Sequence, residues 1–380
     1  MNEHIYLNCA ASSFPKPEAV LHRVQQELLL PPEAAGRSNR TGEPLTEQCR
    51  ETVAQLIGCK PAELHFSSGA TESANLILAG LDLKNTHVIA TATEHNSILR
   101  PLFNHRDRPD ISLVPCNADG LTDPSAIEQR IQPQTRFLFV NHCSNVTGCV
   151  QDLQSISAIA RRHGILLIVD ASQSIGCVDI DVERDGIDIL IFTGHKNLFS
   201  LSGIGGYYLR TGIPVDVVKT GGTGTDSLWL MLPDGYTNRE PGTPNLSGLV
   251  SLEAGTSYVR ETGLAQIQRI LHQKRSLLIS GLTSIDGLHV FHTDHSLFSG
   301  PVVSFVGAAV APADFGYILK ESYGITVRTG YHCCPCIHDY LGTPNGTVRI
   351  SFSVLTPEEH LLSLIDAVRE IQQGVLCHGD

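Results

Sequence analysis

Three places in this chain carry residue types whose spacing could support covalent chemistry. The first is the turn Ser67-Ser68-Gly69-Ala70-Thr71-Glu72, which follows a short apolar run (63–66) and opens a helical segment (73–80). Such a turn presents free backbone N–H groups and the positive end of the helix dipole, which suits a phosphate, and Thr71 adds a hydroxyl. The same pattern also reads as an ordinary capping turn. The second is Asp170, at the end of the very apolar run 165–169. A carboxylate there is costly to bury unless it meets a positive partner, and a protonated heterocyclic nitrogen is one. Gln173, three residues on, could donate to an oxygen on the same ring; read alone, Asp170 could equally cap a helix. The third is Lys196, in Phe192-Thr193-Gly194-His195-Lys196. An amine at the mouth of a buried strand loses water and, near other cations, loses its proton more easily, which makes it a nucleophile. Thr193 and His195 flank it and could hold phosphate oxygens.

A fourth cluster lies near the C-terminus, in Tyr331-His332-Cys333-Cys334-Pro335-Cys336-Ile337-His338. Three thiols compete there for the role of nucleophile, and Arg328 and His332 are the nearby groups expected to supply positive charge to a thiolate. Thiolates and imidazoles also suit zinc. Adjacent cysteines rarely both face one tetrahedral ion, however, so no metal is assigned.

The elements that must position these groups follow from the apolar pattern. Short β-branched runs at 87–91, 137–141, 165–170, 187–193 and 206–209 read as buried strands, with amphipathic segments such as 153–162 between them. That alternation predicts an α/β domain on a mainly parallel sheet. Ligands of such sheets bind at the carboxyl ends of the strands. Polar groups cluster at those positions: Glu94-His95-Asn96, Ser144-Asn145, Asp170 to Gln173, and Thr193 to Lys196. From about residue 246 the texture changes to a long helical stretch (249–284), strands at 302–306 and 347–353, and a last helix at 357–373. This predicts a large domain over 16–248 and a smaller α+β domain made of 1–15 and 249–380.

Bulk properties narrow the class. The 380 residues are 42% hydrophobic and 17% charged, ordinary for a globular protein. The net charge of −12, from 27 basic and 39 acidic residues, argues against nucleic acid or an anionic membrane as partner. Neither a bilayer-spanning run nor a secretory signal is visible, so a cytoplasmic protein is expected. Eleven cysteines, most of them single, read as small buried residues rather than a disulfide framework.

Six strings occur in order: Ser-Gly-Ala-Thr-Glu (68–72), Glu-His-Asn-Ser (94–97), Ser-Asn-Val-Thr-Gly (144–148), Val-Asp-Ala-Ser-Gln (169–173), Thr-Gly-His-Lys (193–196) and Gly-Thr-Pro-Asn (242–245). Together they resemble the class V aminotransferase family, and within it the cysteine desulfurases and selenocysteine lyases. The segment Arg328-Thr329-Gly330-Tyr331-His332-Cys333 resembles the active-site motif of group II, SUF-type, cysteine desulfurases. The resemblance implies fold type I of the transferases that use pyridoxal 5′-phosphate (PLP), with a seven-stranded large-domain sheet. It implies that Lys196 holds the cofactor as a Schiff base and moves protons, and that His95 stacks on the ring as a candidate acid or base. Asp170 would pair with the ring nitrogen and Gln173 with the phenolic oxygen. Ala70, Thr71, Thr193 and His195 would bind phosphate, and Thr243 would reach the cofactor of a second subunit in a homodimer. Asn145, Arg328 and Arg349 would lie on the substrate, and Cys333 would take its sulfur. The implied reaction converts L-cysteine to L-alanine with a persulfide for a sulfur acceptor; selenocysteine lyase and C–S β-lyase chemistry are the alternatives.

Two departures from the family pattern stand out. Asn8-Cys9-Ala10-Ala11 replaces Asp-Asn-Ala-Ala, and Gly36-Arg37-Ser38-Asn39-Arg40 only partly follows Gly-Arg-Ser-Gly-His.

Overall fold

The computed structural model describes residues 4–30, 44–222, 228–292 and 299–376. The departure at 36–40, and Cys377, lie outside the described residues. The first part of the chain forms β1 (Ile5–Tyr6), α1 (Glu18–Leu28), α2 (Leu45–Ile57), β2 (Leu64–Ser67), α3 (Ala70–Gly80), β3 (His87–Thr91), α4 (Asn96–Phe103) and β4 (Asp110–Val114). It continues through α5 (Pro124–Glu128), β5 (Thr135–Asn141), α6 (Leu153–Arg162), β6 (Leu166–Asp170), β7 (Ile189–Thr193) and β8 (Gly205–Leu209). Then come α7 (Leu246–Thr262), α8 (Leu264–Thr283), β9 (Leu288–Phe291), β10 (Val302–Gly307) and α9 (Pro312–Tyr323). The last elements are β11 (Ile325–Thr326), β12 (Arg328–Gly330), α10 (Ile337–Leu341), β13 (Thr347–Ser351) and α11 (Glu358–Leu376).

Seven strands form one sheet in the order β2-β8-β7-β6-β5-β3-β4. β3 to β7 run parallel, and β8 is antiparallel to both of its neighbours. This is the α/β, mainly parallel architecture that the sequence predicts. Strands β3, β7 and β8 are buried along their whole length, which is why they read as continuous apolar runs rather than alternating ones. In-register pairing puts Asn141 beside Asp170, so the carboxyl ends of adjacent strands share one rim.

Close backbone approach tightens that rim. A Cβ on Gly206 would sit 2.3 Å from the His65 carbonyl oxygen, and one on Gly205 would sit 2.8 Å from the Gly69 Cα. Two glycines at the start of β8 therefore let the Gly69 turn and Thr193 come together. α3 begins at Ala70, three residues before the sequence predicts, with Gly69 as its cap at a φ of 142°.

A second sheet, order β12-β13-β10-β9, is antiparallel throughout. β1 pairs with β11, and the segment beyond it crosses to the large sheet, where the Ser13 N–H donates to the His195 carbonyl at 2.9 Å. The predicted single helix over 249–284 is two helices, α7 and α8. Gly263, at a φ of 80°, ends the first and caps the second, because a left-handed residue cannot continue an α-helix. Among the described residues, no helix is long and apolar enough to cross a membrane.

α7 packs against the loop that carries Lys196. A Cβ on Gly255 would lie 1.9 Å from the Leu198 carbonyl oxygen. Gly255→Ala is therefore expected to lower stability by about 1–3 kcal/mol, read by urea denaturation, and to displace the Lys196 loop. An unchanged unfolding midpoint would contradict this packing.

Candidate active site

The strand ends and the small sheet enclose a cavity of about 330 Å³. Its wall includes Ala70, Thr71, His95, Asn145, Asp170, Gln173, Thr193, His195, Lys196, Arg328 and Arg349, all of them singled out in the sequence. Cys333 lies next to the wall, with its Sγ 3.2 Å from Nη2 of Arg328. Thr243 is exposed and does not line this cavity.

Lys196 follows β7 into a place where burial, opposed by the nearby Asp170, lowers its pKa to about 8. Arg349 and Arg328 push the same way as burial. The amine therefore spends a substantial fraction of its time unprotonated near neutral pH. Asp170 is 4% exposed, and its Oδ1 accepts from the Ser172 N–H at 2.8 Å, which fixes the carboxylate at the end of β6. Glu94 is wholly buried, and the Thr91 hydroxyl donates to its Oε1 at 3.1 Å. Burial and the proximity of Asp170 hold its carboxyl well above the usual range.

His95 caps α4. The Ser97 N–H donates to its Nδ1 at 3.0 Å, which leaves the ring proton on Nε2 in the neutral tautomer. Burial, together with Lys196, lowers its pKa to about 4, so the neutral ring is the form present at neutral pH. Gln173 donates through Nε2 to the Ala10 carbonyl at 3.0 Å. At the start of α3 the glycine cap makes no side-chain bond to the first turn, and Ala70 and Thr71 face the cavity.

Arg328 and Arg349 are direct cross-strand partners on β12 and β13. Like charges so placed repel, and Arg349 is only 1% exposed. Burial, and next Arg328, lower its pKa to about 9. Nη1 donates to the Asn145 carbonyl and Nη2 to Asn8 Oδ1, each at 3.0 Å; neither acceptor is charged. Two of the five N–H bonds are thereby used, and Nε has no partner. Buried polar atoms without partners also occur at Asn141 Oδ1, Asn145 Oδ1, Ser172 Oγ and His195 Nδ1, all on residues that line the cavity. Such a wall fits a polar occupant rather than an apolar one.

The cysteine segment is held in an uncommon shape. His332 and Cys333 have φ values of 51° and 59°, each costing about 1–2 kcal/mol for a residue with a Cβ. Two bonds hold them there: Asn145 Nδ2 to the His332 carbonyl and the Asn96 N–H to the Cys333 carbonyl, both 2.8 Å. One expectation fails. His332 supplies no positive charge to Cys333, because burial and the neighbouring Arg349 push its pKa down to about 2. Its Nε2 lies 2.9 Å from the Thr347 hydroxyl instead. Arg328, within hydrogen-bonding distance of Cys333 Sγ, provides the adjacent cation.

Sequence reasoning missed Asn8, Ser97, Ser172 and Ser202. The first touches Arg349, the second fixes His95, and the last two line the cavity. Ser97 and Ser172 fall inside the recognised strings, but nothing in their spacing separates them from the residues that were chosen.

Comparison with known proteins agrees with this geometry. The aminotransferase class-V family model matches residues 5–364. A probable cysteine desulfurase from Methanothermobacter thermautotrophicus is 32% identical, over 98% of this chain and 95% of that protein. A cysteine desulfurase from Cronobacter sakazakii is 28% identical, over 86% of this chain and 82% of the other. Among solved structures, the apo cysteine desulfurase from Thermococcus onnurineus NA1 superimposes with a TM-score of 0.88 at 28% identity, covering 98% of this chain and 95% of that one. An Escherichia coli cysteine desulfurase in an S-sulfonic acid form gives a TM-score of 0.86 at 26% identity, with the same coverage. With the model spanning nearly all its residues and a full-length relative above 30% identity, the chain belongs to the class V aminotransferase family.

Proposed function

We propose that the chain is a PLP-dependent cysteine desulfurase that converts L-cysteine to L-alanine and collects the sulfur on Cys333. The observation that carries this reading is Cys333 Sγ against the Arg328 guanidinium at 3.2 Å, beside a cavity lined by Lys196 and Arg349. The unpaired polar atoms of that cavity support a PLP site. Lys196 is the amine that would hold the cofactor through its aldehyde, with Asp170 at its ring nitrogen and His95 on its face. Gln173 would reach its phenolic oxygen, and Ala70, Thr71, Thr193 and His195 its phosphate. When bound, PLP withdraws electrons from the substrate's Cα, which no side chain here can do.

The rest of the reaction belongs to the chain's own groups. The unused N–H bonds of Arg349 grip the substrate carboxylate and offset the Arg328–Arg349 repulsion, while the Asn145 amide borders the same space. This orients the Cα–H bond toward Lys196, whose amine takes and returns the proton; His95 is the second proton carrier in reach of the site. The Cys333 thiolate, stabilised by Arg328, attacks the substrate sulfur. A bond forms between Sγ and that sulfur, the carbon–sulfur bond breaks with its electron pair left on carbon, and a proton delivered there completes alanine.

We also propose that the enzyme works as a homodimer. Leu228, Leu230 and Met231 are 94%, 96% and 86% exposed, a run of large apolar side chains that a second copy would cover. Exposed Thr243 is then free to reach the neighbouring cavity. No motif identifies the physiological acceptor of the sulfur, which is expected to be a protein or small thiol.

Four outcomes check these readings. Protein stripped of cofactor should take up PLP, followed by visible absorbance, at a rate that rises with pH and levels off above about 8, because only the unprotonated Lys196 amine reacts. Lys196→Ala should show no such absorbance. With L-cysteine the holoenzyme should yield alanine and a persulfide on Cys333, and Cys333→Ala should lose both. Pyruvate as the product, or alanine formation untouched by that substitution, would overturn the assignment, and competition with L-selenocysteine ranks the two substrates. Arg349→Lys should raise KM for L-cysteine about 10- to 100-fold, from a charge-assisted hydrogen bond worth about 1.5–3 kcal/mol. Finally, paired Leu230→Asp and Met231→Asp changes should yield monomers by light scattering, with weakened PLP retention.

A further inference from the structure

The three clustered thiols are separated by their packing. Cys334 is fully buried and its Sγ donates to the Thr93 carbonyl at 3.1 Å. Burial drives its thiol well above the ordinary range, so it is a poor nucleophile and out of reach of solvent. Cys333 and Cys336 are each half-buried. They stand three residues apart in Cys333-Cys334-Pro335-Cys336, the C-x-x-C spacing on which dithiol exchange is commonly built.

The backbone keeps this pair close. The Cys334 N–H bonds to the Tyr331 carbonyl at 2.9 Å, which closes a turn through His332 and Cys333. Beyond Pro335 the chain enters α10, with Cys336 at its cap position in a right-handed helical conformation. Even a fully extended link of three residues spans only about 11 Å, and the turn and the helix start shorten it. Cys334, buried between them, anchors the pivot.

The two half-buried thiols differ electrostatically. Arg328 stands 3.2 Å from Cys333 Sγ and favours negative charge there, whether the sulfur is attacking or leaving. Cys336 has the Asp339 carboxylate nearby, and burial followed by Asp339 raises its thiol. Pro335, Asp339 and Tyr340 around it are exposed. Sulfur on Cys333 is therefore best released by a step in which Cys333 departs as the thiolate.

We propose that Cys336 is a second sulfur station, a relay that accepts the outer sulfur of the Cys333 persulfide and presents it to an acceptor thiol. Cys336 loses its thiol proton to solvent and its thiolate attacks the outer sulfur. The bond between that sulfur and Cys333 Sγ breaks, and Cys333 keeps the electron pair as a thiolate beside Arg328. The products are a Cys336 persulfide and a Cys333 ready for the next substrate, with no net oxidation or reduction. The relay rests on the desulfurase reading above.

The experiment loads the holoenzyme with one equivalent of sulfur-labelled L-cysteine, alkylates at successive times and maps the labelled sulfur within the tryptic peptide 329–349 by fragmentation. Label is expected first on Cys333 and then increasingly on Cys336. In Cys336→Ser it is expected to remain on Cys333, with persulfide lifetime lengthened and delivery to added dithiothreitol slowed several-fold. Label confined to Cys333 at every time in the wild-type protein would overturn the relay, as would a Cys333–Cys336 disulfide with free sulfide as the first product. Label on Cys336 in Cys333→Ala would overturn the proposed order. If the wild-type protein forms neither alanine nor labelled persulfide, the desulfurase reading itself fails, an outcome distinct from the others.

Discussion

The site depends on an imbalance of buried charge. Lys196, Arg328 and Arg349 line one cavity together with two carboxylates, Asp170 and Glu72, of which Glu72 is already paired with Lys219. Arg349 is fully buried and Lys196 and Arg328 are half-buried, so these cations repel one another more than they would at a surface. Burial first, and this repulsion after it, lower the pKa of Lys196 to about 8 and that of Arg349 to about 9. An anionic ligand relieves the repulsion, whereas a neutral one leaves it in place.

Keeping the cations in place falls to neutral partners. Asn8 and the Asn145 carbonyl orient Arg349 without cancelling its charge. An aspartate at position 8, as in the family pattern, would pair with that guanidinium and compete with a substrate carboxylate for it. Asn145 has a second task, since its amide also holds the His332 carbonyl. One asparagine therefore ties Arg349 to the strained segment that carries Cys333. Asn96 does the same from the other side, joining the His95 turn to the Cys333 carbonyl. Positions of thiol, imidazole and guanidinium are coupled through these few bonds, so a shift in one element is transmitted to the reacting groups.

Most of the large sheet was legible in the chain because its central strands are buried on both faces and its helices are amphipathic, whereas the edge strand β4, exposed at its start, gives no such apolar run. Candidate residues were legible for a related reason, since polar groups that end apolar strands must share a rim in a parallel sheet. The division at Gly263 was less visible. Glycine is tolerated inside many helices, and only the packing of α7 and α8 against different neighbours selects its left-handed conformation. Start points were similarly soft, as at α3, where a glycine cap stands in for the side-chain cap that usually marks a helix beginning.

What the sequence determined by itself was the set of reactive types and their order: a phosphate-type turn, an aspartate and a lysine on successive strands, and a cysteine segment between two arginines. These are local properties, carried by residue chemistry and short spacing. Tertiary structure alone decided which charges survive and which thiols compete. His332 lost its expected charge because Thr347 and Arg349, fifteen and seventeen residues further on, enclose it, and Cys334 was removed as a nucleophile by burial against the Thr93 carbonyl. Protonation and reactivity are set by desolvation and by neighbours distant in the chain, and neither is encoded in any short stretch of sequence.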